Sequence, residues 1–398
     1  MWAAVPEYEK IITEHLFSHF KLNHVKEGEF RFCGREYKQA DDYGITVTCK
    51  NNIEKILPIK YDRAKRSLED KANESEISQG RSVIGSLAWI ARQVRPEYCY
   101  QSSRLQSVIA SAKLKHIQQC NKVLQDIQAT SEIGLYFKPA EFKFEDAILI
   151  SIHDASWANE EKIIDGHIFP RRSQYGRITC MGHPDLWEGD TGIVHFIGWK
   201  SGLIRRLCRS TFRAETQGCC YAMESGVALR ALMCDIMGTR KRHDTNWEDT
   251  CAKQMKHLWL TDCDSLNKYI NNPTPQPCED KRLEIDLEGL REYIWENADG
   301  TLKDYVTENQ HDKIRWIDTS AMICDPLTKQ GMHNFNQRLH ETMMTGRLSL
   351  EASTESQMKK LNQQKARRKK AEDKELKLEE FEEPAYDDNT NMQMEDKD

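Results

Sequence analysis

No stretch of this 398-residue chain approaches the roughly 20 consecutive apolar residues needed to cross a bilayer, so the sequence offers no candidate membrane span. Its first residues, MWAAVPEYEK, lack a basic start followed by an apolar block and have no transit-peptide composition, so secretion is not indicated. No C-x-x-C pair occurs among the 13 cysteines, an odd number scattered singly apart from Cys219 and Cys220. The common zinc and dithiol patterns are thereby missing, and reduced thiols in a soluble intracellular protein, cytoplasmic or nuclear, are the expectation. An excess of positive charge is missing too: 57 Lys and Arg stand against 63 Asp and Glu, a net charge of -6. That balance argues against a nucleic-acid partner only on average, because an acidic C-terminal tail dominates it and charges beyond about 8 Å are largely screened. Local basic stretches keep their capacity to hold a phosphate backbone.

What is present is apolar sequence enough for two or three domains, with 39% hydrophobic and 30% charged residues. Residues 29–39 and 44–50 read as two strands joined by the turn-rich Ala40 to Tyr43, a β-hairpin. The Asp41-Asp42 pair falls on that exposed turn rather than between hydrophobic strands, which sets it apart from a polymerase carboxylate pair. The polar segment up to Gly80 reads as a linker. From Arg81 to Leu124 apolar residues follow three-four spacing, interrupted at Pro96, and predict two helices with a corner between them. Lys113, Lys115, His116 and Lys122 give that region a basic face, read as solvated.

The stretch AILISIHDASWAN, residues 147–159, is an aliphatic strand in which Ile148, Ile150 and Ile152 alternate onto one face and carry Asp154 with them. A buried carboxylate at a strand end needs a metal ion or a hydrogen-bonded cap, and this strand alone leaves both open. Further strands are predicted at 175–181, 192–199, 255–260 and 313–317. A long helix begins after Ser210-Thr211 and reaches about Met237, with Glu215, Cys219, Ala222, Gly226, Leu229, Met233 and Ile236 on one stripe. Asp262 ends a strand, where it or Asp264 is expected to cap the next helix. Leu283 to Trp295 forms another amphipathic helix, and Asp325, ahead of Pro326, starts a last helix. From Leu350 on, a basic block (residues 359–370) runs into an acidic one, predicting a disordered or lone solvated tail. Four carboxylates delivered from such element ends suit two magnesium ions acting on a phosphodiester.

In this order the blocks resemble the reverse transcriptase and ribonuclease H portion of copia-type LTR retrotransposon Pol polyproteins. Residues 81–87 (RSVIGSL) with Arg95-Pro96-Glu97 resemble R-S-L-V-G-S-L and R-P-D; residues 153–158 (HDASWA) resemble S-D-A-D-W-A; residues 172–176 (RSQYG) resemble K-S-T-S-G. Trp199-Lys200-Ser201 matches W-K-S, residues 210–215 resemble S-S-T-E-A-E, residues 262–266 resemble D-N-Q-S-A, and residues 325–329 (DPLTK) resemble D-I-L-T-K. The resemblance covers about residues 20–339 and implies an α/β fold: a ribonuclease H-like five-stranded mixed sheet flanked by helices. This domain, residues 145–346, would follow a partial reverse transcriptase palm and thumb (1–135) and precede the charged tail (350–398). It implies hydrolysis of the RNA strand of RNA-DNA hybrids, with Asp154, Glu215, Asp262 and Asp325 as catalytic and metal-holding residues for two Mg2+ or Mn2+ ions. Lys200, Arg205, Arg206, Arg209 and Arg213 would contact backbone phosphates, and the rest of a retroelement polyprotein is a further implied partner.

The chain also departs from the family pattern. Phe212-Arg213 stand where T-E is usual, Ser156 replaces the second Asp of the DAD-like motif, and residues 283–286 (LEID) replace K-H-I-D. The polymerase motif Y-x-D-D is not found, and the chain is expected to begin within the palm, without DNA synthesis of its own. The competing expectation is a catalytically inactive element fragment or a co-opted nucleic-acid-binding protein. An integrase-like nuclease fits less well, because of Asp325 and the preceding polymerase-like blocks.

Overall fold

A computed structural model describes residues 6–21, 26–63, 65–139, 141–164, 167–240, 243–296, 301–303, 310–329, 333–363 and 365–366. The chain divides into two units, residues 1–351 and 352–398. The second contributes an exposed helical stretch in which Lys359 pairs with Glu355, and the acidic end of the tail lies outside the described residues. No described helix is long and apolar enough to cross a membrane.

In chain order the first unit contains α1 (Pro6–His19), β1 (Glu29–Phe32), β2 (Arg35–Gln39), β3 (Ile45–Thr48), α2 (Lys50–Glu54), α3 (Glu74–Gln93), α4 (Cys99–Val108), α5 (Leu114–Ala129) and β4 (Leu135–Phe137). There follow β5 (Ile148–Ile164), β6 (His167–Gly182), β7 (Thr191–Leu203), α6 (Thr211–Ile236), α7 (Trp247–Gln254), β8 (His257–Thr261), α8 (Asp264–Asn271) and α9 (Lys281–Trp295). β9 (Asp312–Trp316), α10 (His333–Thr345) and β10 (Arg347–Ser349) complete it.

The predicted strand over 29–39 is two strands, because the chain reverses at Cys33 and Gly34, both with positive φ. The Asp41-Asp42 turn is exposed as expected, and the Asp42 carboxylate accepts the Gly44 amide at 2.9 Å. Part of the supposed linker is helix. Asn73 and Glu76 form a reciprocal capping box, at 2.8 and 2.9 Å, that starts α3 at Glu74 rather than at Arg81. Beyond the Pro96 corner the chain forms two helices, so the region holds three in all. At that corner Arg95 and Glu97 are fully buried and paired at 2.6 Å, with Arg95 also bound to Thr130 and Glu97 to His340 of α10.

The larger sheet has six strands in the order β10-β7-β6-β5-β8-β9, one more than expected, because Arg347–Ser349 adds an antiparallel edge to β7. β5, β6 and β7 are antiparallel neighbours, whereas β8 runs parallel to β5 and β9 parallel to β8. Alternation along the strands sorts their side chains to two faces. Ile150, Ile152, Leu258 and Leu260 join one core with residues of α3, α5 and α10, while Trp259 and Ile314 join another with α6, α8 and α9. Helices therefore cover both faces, and the chain is a mixed α/β structure.

The predicted stripe on α6 is correct as far as Gly226. Beyond it burial passes to Val227, Arg230 and Cys234, leaving Ile236 exposed. The cause is a polar cluster under the helix, where Arg230 donates to both Asp312 oxygens at 3.0 and 3.1 Å and both groups are buried. Beside them His257 lies 2.8 Å from Ser151 Oγ and 3.7 Å from Asp312, a spacing reminiscent of a hydrolase triad. The proton is on the wrong nitrogen for that chemistry. Trp259 Nε1 donates to His257 Nδ1 at 3.1 Å, so Nε2 carries the hydrogen and points it at the serine. Burial and Arg230 keep the imidazole neutral. This cluster is structural, and it explains why α6 carries a glycine there: a Cβ on Gly226 would lie 2.2 Å from His257 Cε1 and 2.8 Å from Ser151 Oγ. Gly226→Ala is expected to lower stability by roughly 1–3 kcal/mol, outweighing the ~1 kcal/mol that Ala gains over Gly in a helix. A urea midpoint equal to or above that of the wild type would show that the helix can back away.

Candidate active site

Asp154 was expected at a strand end, yet it lies in the middle of β5. What ends there is the neighbour: parallel pairing with β8 stops at Ile152 and Leu260, while antiparallel pairing with β6 continues through Asp154 and Gly176. The carboxylate thus stands where β5 is fixed on one side only. Asp262 follows the last residue of β8 and, by alternation from Leu258 and Leu260, is presented from the same face as Asp154. Neither Asp262 nor Asp264 caps α8; that position is Cys263, and Asp264 pairs with Lys268 at 2.5 Å.

Glu215 arrives from α6. Ser210 Oγ accepts the Arg213 amide at 3.1 Å and fixes where the helix starts, which puts Glu215 one turn in and buried. Carboxylate oxygens of Asp154, Glu215 and Asp262 lie within 4.8 Å of one another. Burial first, and then the charges of Asp154 and Asp262, push Glu215 well above the ordinary carboxylate range. Asp262 is raised for the same two reasons, burial and Asp154. Glu215 Oε2 is buried with no hydrogen-bond partner, and His153 Nδ1 lies 3.8 Å from it. Burial holds that imidazole down to about 3, so it is neutral and offers Glu215 no charge. Three buried or half-buried oxygen donors that repel one another, one of them unsatisfied, match what a hard divalent cation requires.

Asp325 is buried beside this group without joining it. It sits in a tight helical turn, Asp325–Leu327, rather than, as predicted, at the start of the last helix. Lys329 Nζ is 2.5 Å from Asp325 Oδ1 and 3.7 Å from Asp154 Oδ2, and Thr328 Oγ1 donates to the same Asp154 oxygen. Burial and Asp154 raise Asp325 to about 7, against the opposing pull of Lys329. A carboxyl with a folded-state pKa near 7 and an unfolded value of about 4 contributes stability that is full at low pH and lost as pH rises across that window. In EDTA the stability of Asp325→Asn relative to the wild type is therefore expected to rise between about pH 4 and 7. Chemical denaturation across that range checks it, and a pH-independent difference would refute it.

The basic residues divide. Lys200 on β7 and Arg205, Arg206 and Arg209 in the following turn are exposed, whereas Arg213 is buried and paired with Asp280. That turn is held against the β5–β6 hairpin, where Trp157 Nε1 donates to Cys208 O at 3.0 Å and Ile204 N to Ser173 O at 2.8 Å. Sequence reasoning missed Lys329 and Thr328 as members of the site. Their signal was the four-residue spacing from Asp325 to Lys329, which lets an ammonium reach back to a carboxylate within one turn.

No protein-family model and no curated protein matches the chain. Among solved structures the similarity is to RNase H folds and to a retroviral enzyme. One is RNase H1 from the archaeon Halobacterium salinarum, 11% identical, covering 45% of this chain and 93% of its own, at a TM-score of 0.25. Another is an N-terminal RNase H domain from Mycobacterium tuberculosis, solved as a fusion with maltose-binding protein, 10% identical, covering 48% and 97%, at 0.26. A third is the protease-reverse transcriptase of prototype foamy virus, 11% identical over 54% of this chain and 22% of that one, at 0.24. Scores this low leave the functional reading to the chain's own strand order and carboxylates.

Proposed function

We propose that the chain is a ribonuclease H-type nuclease of retroelement origin, of the copia kind, that hydrolyses the RNA strand of RNA-DNA hybrids. The observation that carries this reading is the convergence, within 4.8 Å, of Asp154, Glu215 and Asp262 from β5, α6 and β8. Supporting it is the sheet that delivers them: three antiparallel strands with two further strands added parallel beyond β5. Asp154, Glu215 and Asp262 would hold a divalent cation, Mg2+ or Mn2+. When bound, such an ion lowers the pKa of water and stabilises charge on a phosphodiester oxygen. The chain's own residues supply the rest. Asp154 and Glu215 are buried and Asp262 half-buried, and Gly176 opposite Asp154 leaves room for Leu327 and Thr328, since a Cβ there would lie 2.6 Å from Leu327 Cβ. Lys200, Arg205, Arg206 and Arg209 are the proposed phosphate contacts beside the site.

The four carboxylates suggested two ions. A second would have to share Asp154 with Asp325, and that is where the Lys329 ammonium lies. The test is direct: incubation of the full chain with a labelled RNA-DNA hybrid should release RNA fragments with Mg2+ and none in EDTA. Hybrid binding without turnover under both conditions would replace the nuclease reading with a binding-only one.

A further inference from the structure

The fourth carboxylate poses a chemical question that the first three do not. Asp325 and Asp154 are both buried, and Asp154 raises the cost of charging Asp325, a cost that a cation placed between them lowers. The chain supplies that cation. Lys329 Nζ contacts Asp325 Oδ1 at 2.5 Å and approaches Asp154 Oδ2 to 3.7 Å. Its backbone position is fixed from behind: Lys329 N donates to Asp325 O at 3.1 Å, the Pro326 ring fixes φ at the second residue of the turn, and Pro326, Leu327 and Thr328 are buried. Thr328 Oγ1, donating to Asp154 Oδ2, occupies a lone pair on the same side. The lysine side chain is only 36% exposed. On the other side of the cluster the situation is reversed, since Glu215 Oε2 is buried and has no donor at all. One end of the site thus carries its own positive charge, while among the described residues no Lys or Arg forms an ion pair with Glu215.

We propose that the Lys329 ammonium is the resident second cation of this site, so that the folded chain takes up one divalent ion, at Asp154, Glu215 and Asp262, and admits another only when the lysine is removed. This rests on the metal-holding reading of the three carboxylates given above. An ion shared by Asp154 and Asp325 would bind oxygen at about 2.0–2.1 Å if it were Mg2+, within a few ångström of an ammonium that already contacts Asp325 and lies 3.7 Å from Asp154. Its affinity is suppressed by that repulsion and by competition for the same oxygens.

Mn2+ binding to the full chain, without nucleic acid, tests this by calorimetric titration and by the loss of the free-Mn2+ electron paramagnetic resonance signal. The wild type is expected to bind one ion, and Lys329→Met to bind two, the second at least about tenfold more tightly than any weak second site of the wild type. Lys329→Arg, which keeps the charge, should bind one. Lys329→Gln serves in place of Lys329→Met if the thioether does not settle between the carboxylates, and far-ultraviolet circular dichroism verifies the fold of each. Two equally tight ions in the wild type, or one ion in both neutral variants, would overturn the role of Lys329 while leaving the carboxylate site intact. Unchanged Mn2+ uptake by Asp154→Asn would instead remove the metal-holding reading itself, whatever the lysine does.

Discussion

Asp154→Asn is expected to lower Mg2+-dependent cleavage of the hybrid by roughly a thousandfold or more, the equivalent of about 4 kcal/mol of transition-state stabilisation. The substitution keeps the shape of the side chain and its hydrogen bond from Thr328, and it removes the charge that helps to raise Glu215, Asp262 and Asp325. The same change should therefore leave the unfolding midpoint in EDTA equal to or higher than that of the wild type. Activity and stability moving in opposite directions would mark Asp154 as a residue kept for function. A variant that cleaves as fast as the wild type, or one that unfolds along with its loss of activity, would count against the proposed site.

The second large effect concerns stability alone. Asp312→Ala is expected to cost about 3–5 kcal/mol, because it strands the Arg230 guanidinium in a place it cannot leave. Arg230 is 1% exposed and Asp312 2%, so water cannot replace the lost partner. Against a typical total of about 5–15 kcal/mol, this is enough to depopulate the folded state on mild heating. Replacing both members, with Arg230→Met and Asp312→Leu, should recover most of the loss, since the cost lies in the unpaired charge. Urea denaturation of the two variants decides: a loss below about 1 kcal/mol for Asp312→Ala would show that Arg230 finds another acceptor.

Much of this arrangement could be read from residues. Alternation of Ile148, Ile150 and Ile152 gave the face of Asp154, and Ser210 gave the start of α6, because these signals are local and strong. The capping box at Asn73 was equally local, but it lay inside a polar segment that composition marked as linker. Other features depend on contacts far apart in sequence. The stripe on α6 turned at Gly226 because Arg230 answers Asp312, a pairing that no periodicity announces. β10 is three residues long and exists only because β7 offers it an edge. Lys329 was visible as part of a block with Asp325, but its approach to Asp154 requires the β5 backbone to pass alongside, which the spacing of charges cannot reveal. The basic run divided for a similar reason, with Arg213 turning inward to an aspartate 67 positions later.

The length of β5 has a consequence for how the site meets an ion. Asp154 is followed and preceded by residues already paired with β6, from Ile148 to Ser156 and on to Glu160, where Arg104 and Tyr100 of α4 grip the strand. Its backbone freedom is surrendered during folding, long before any ligand arrives. An aspartate on a loose loop would have to surrender that freedom at the moment of binding, at about 1–2 kcal/mol per residue ordered. Ion uptake here is thus closer to insertion into a finished frame than to the gathering of a floppy one, and its entropy should be governed by released water rather than by a tightening chain.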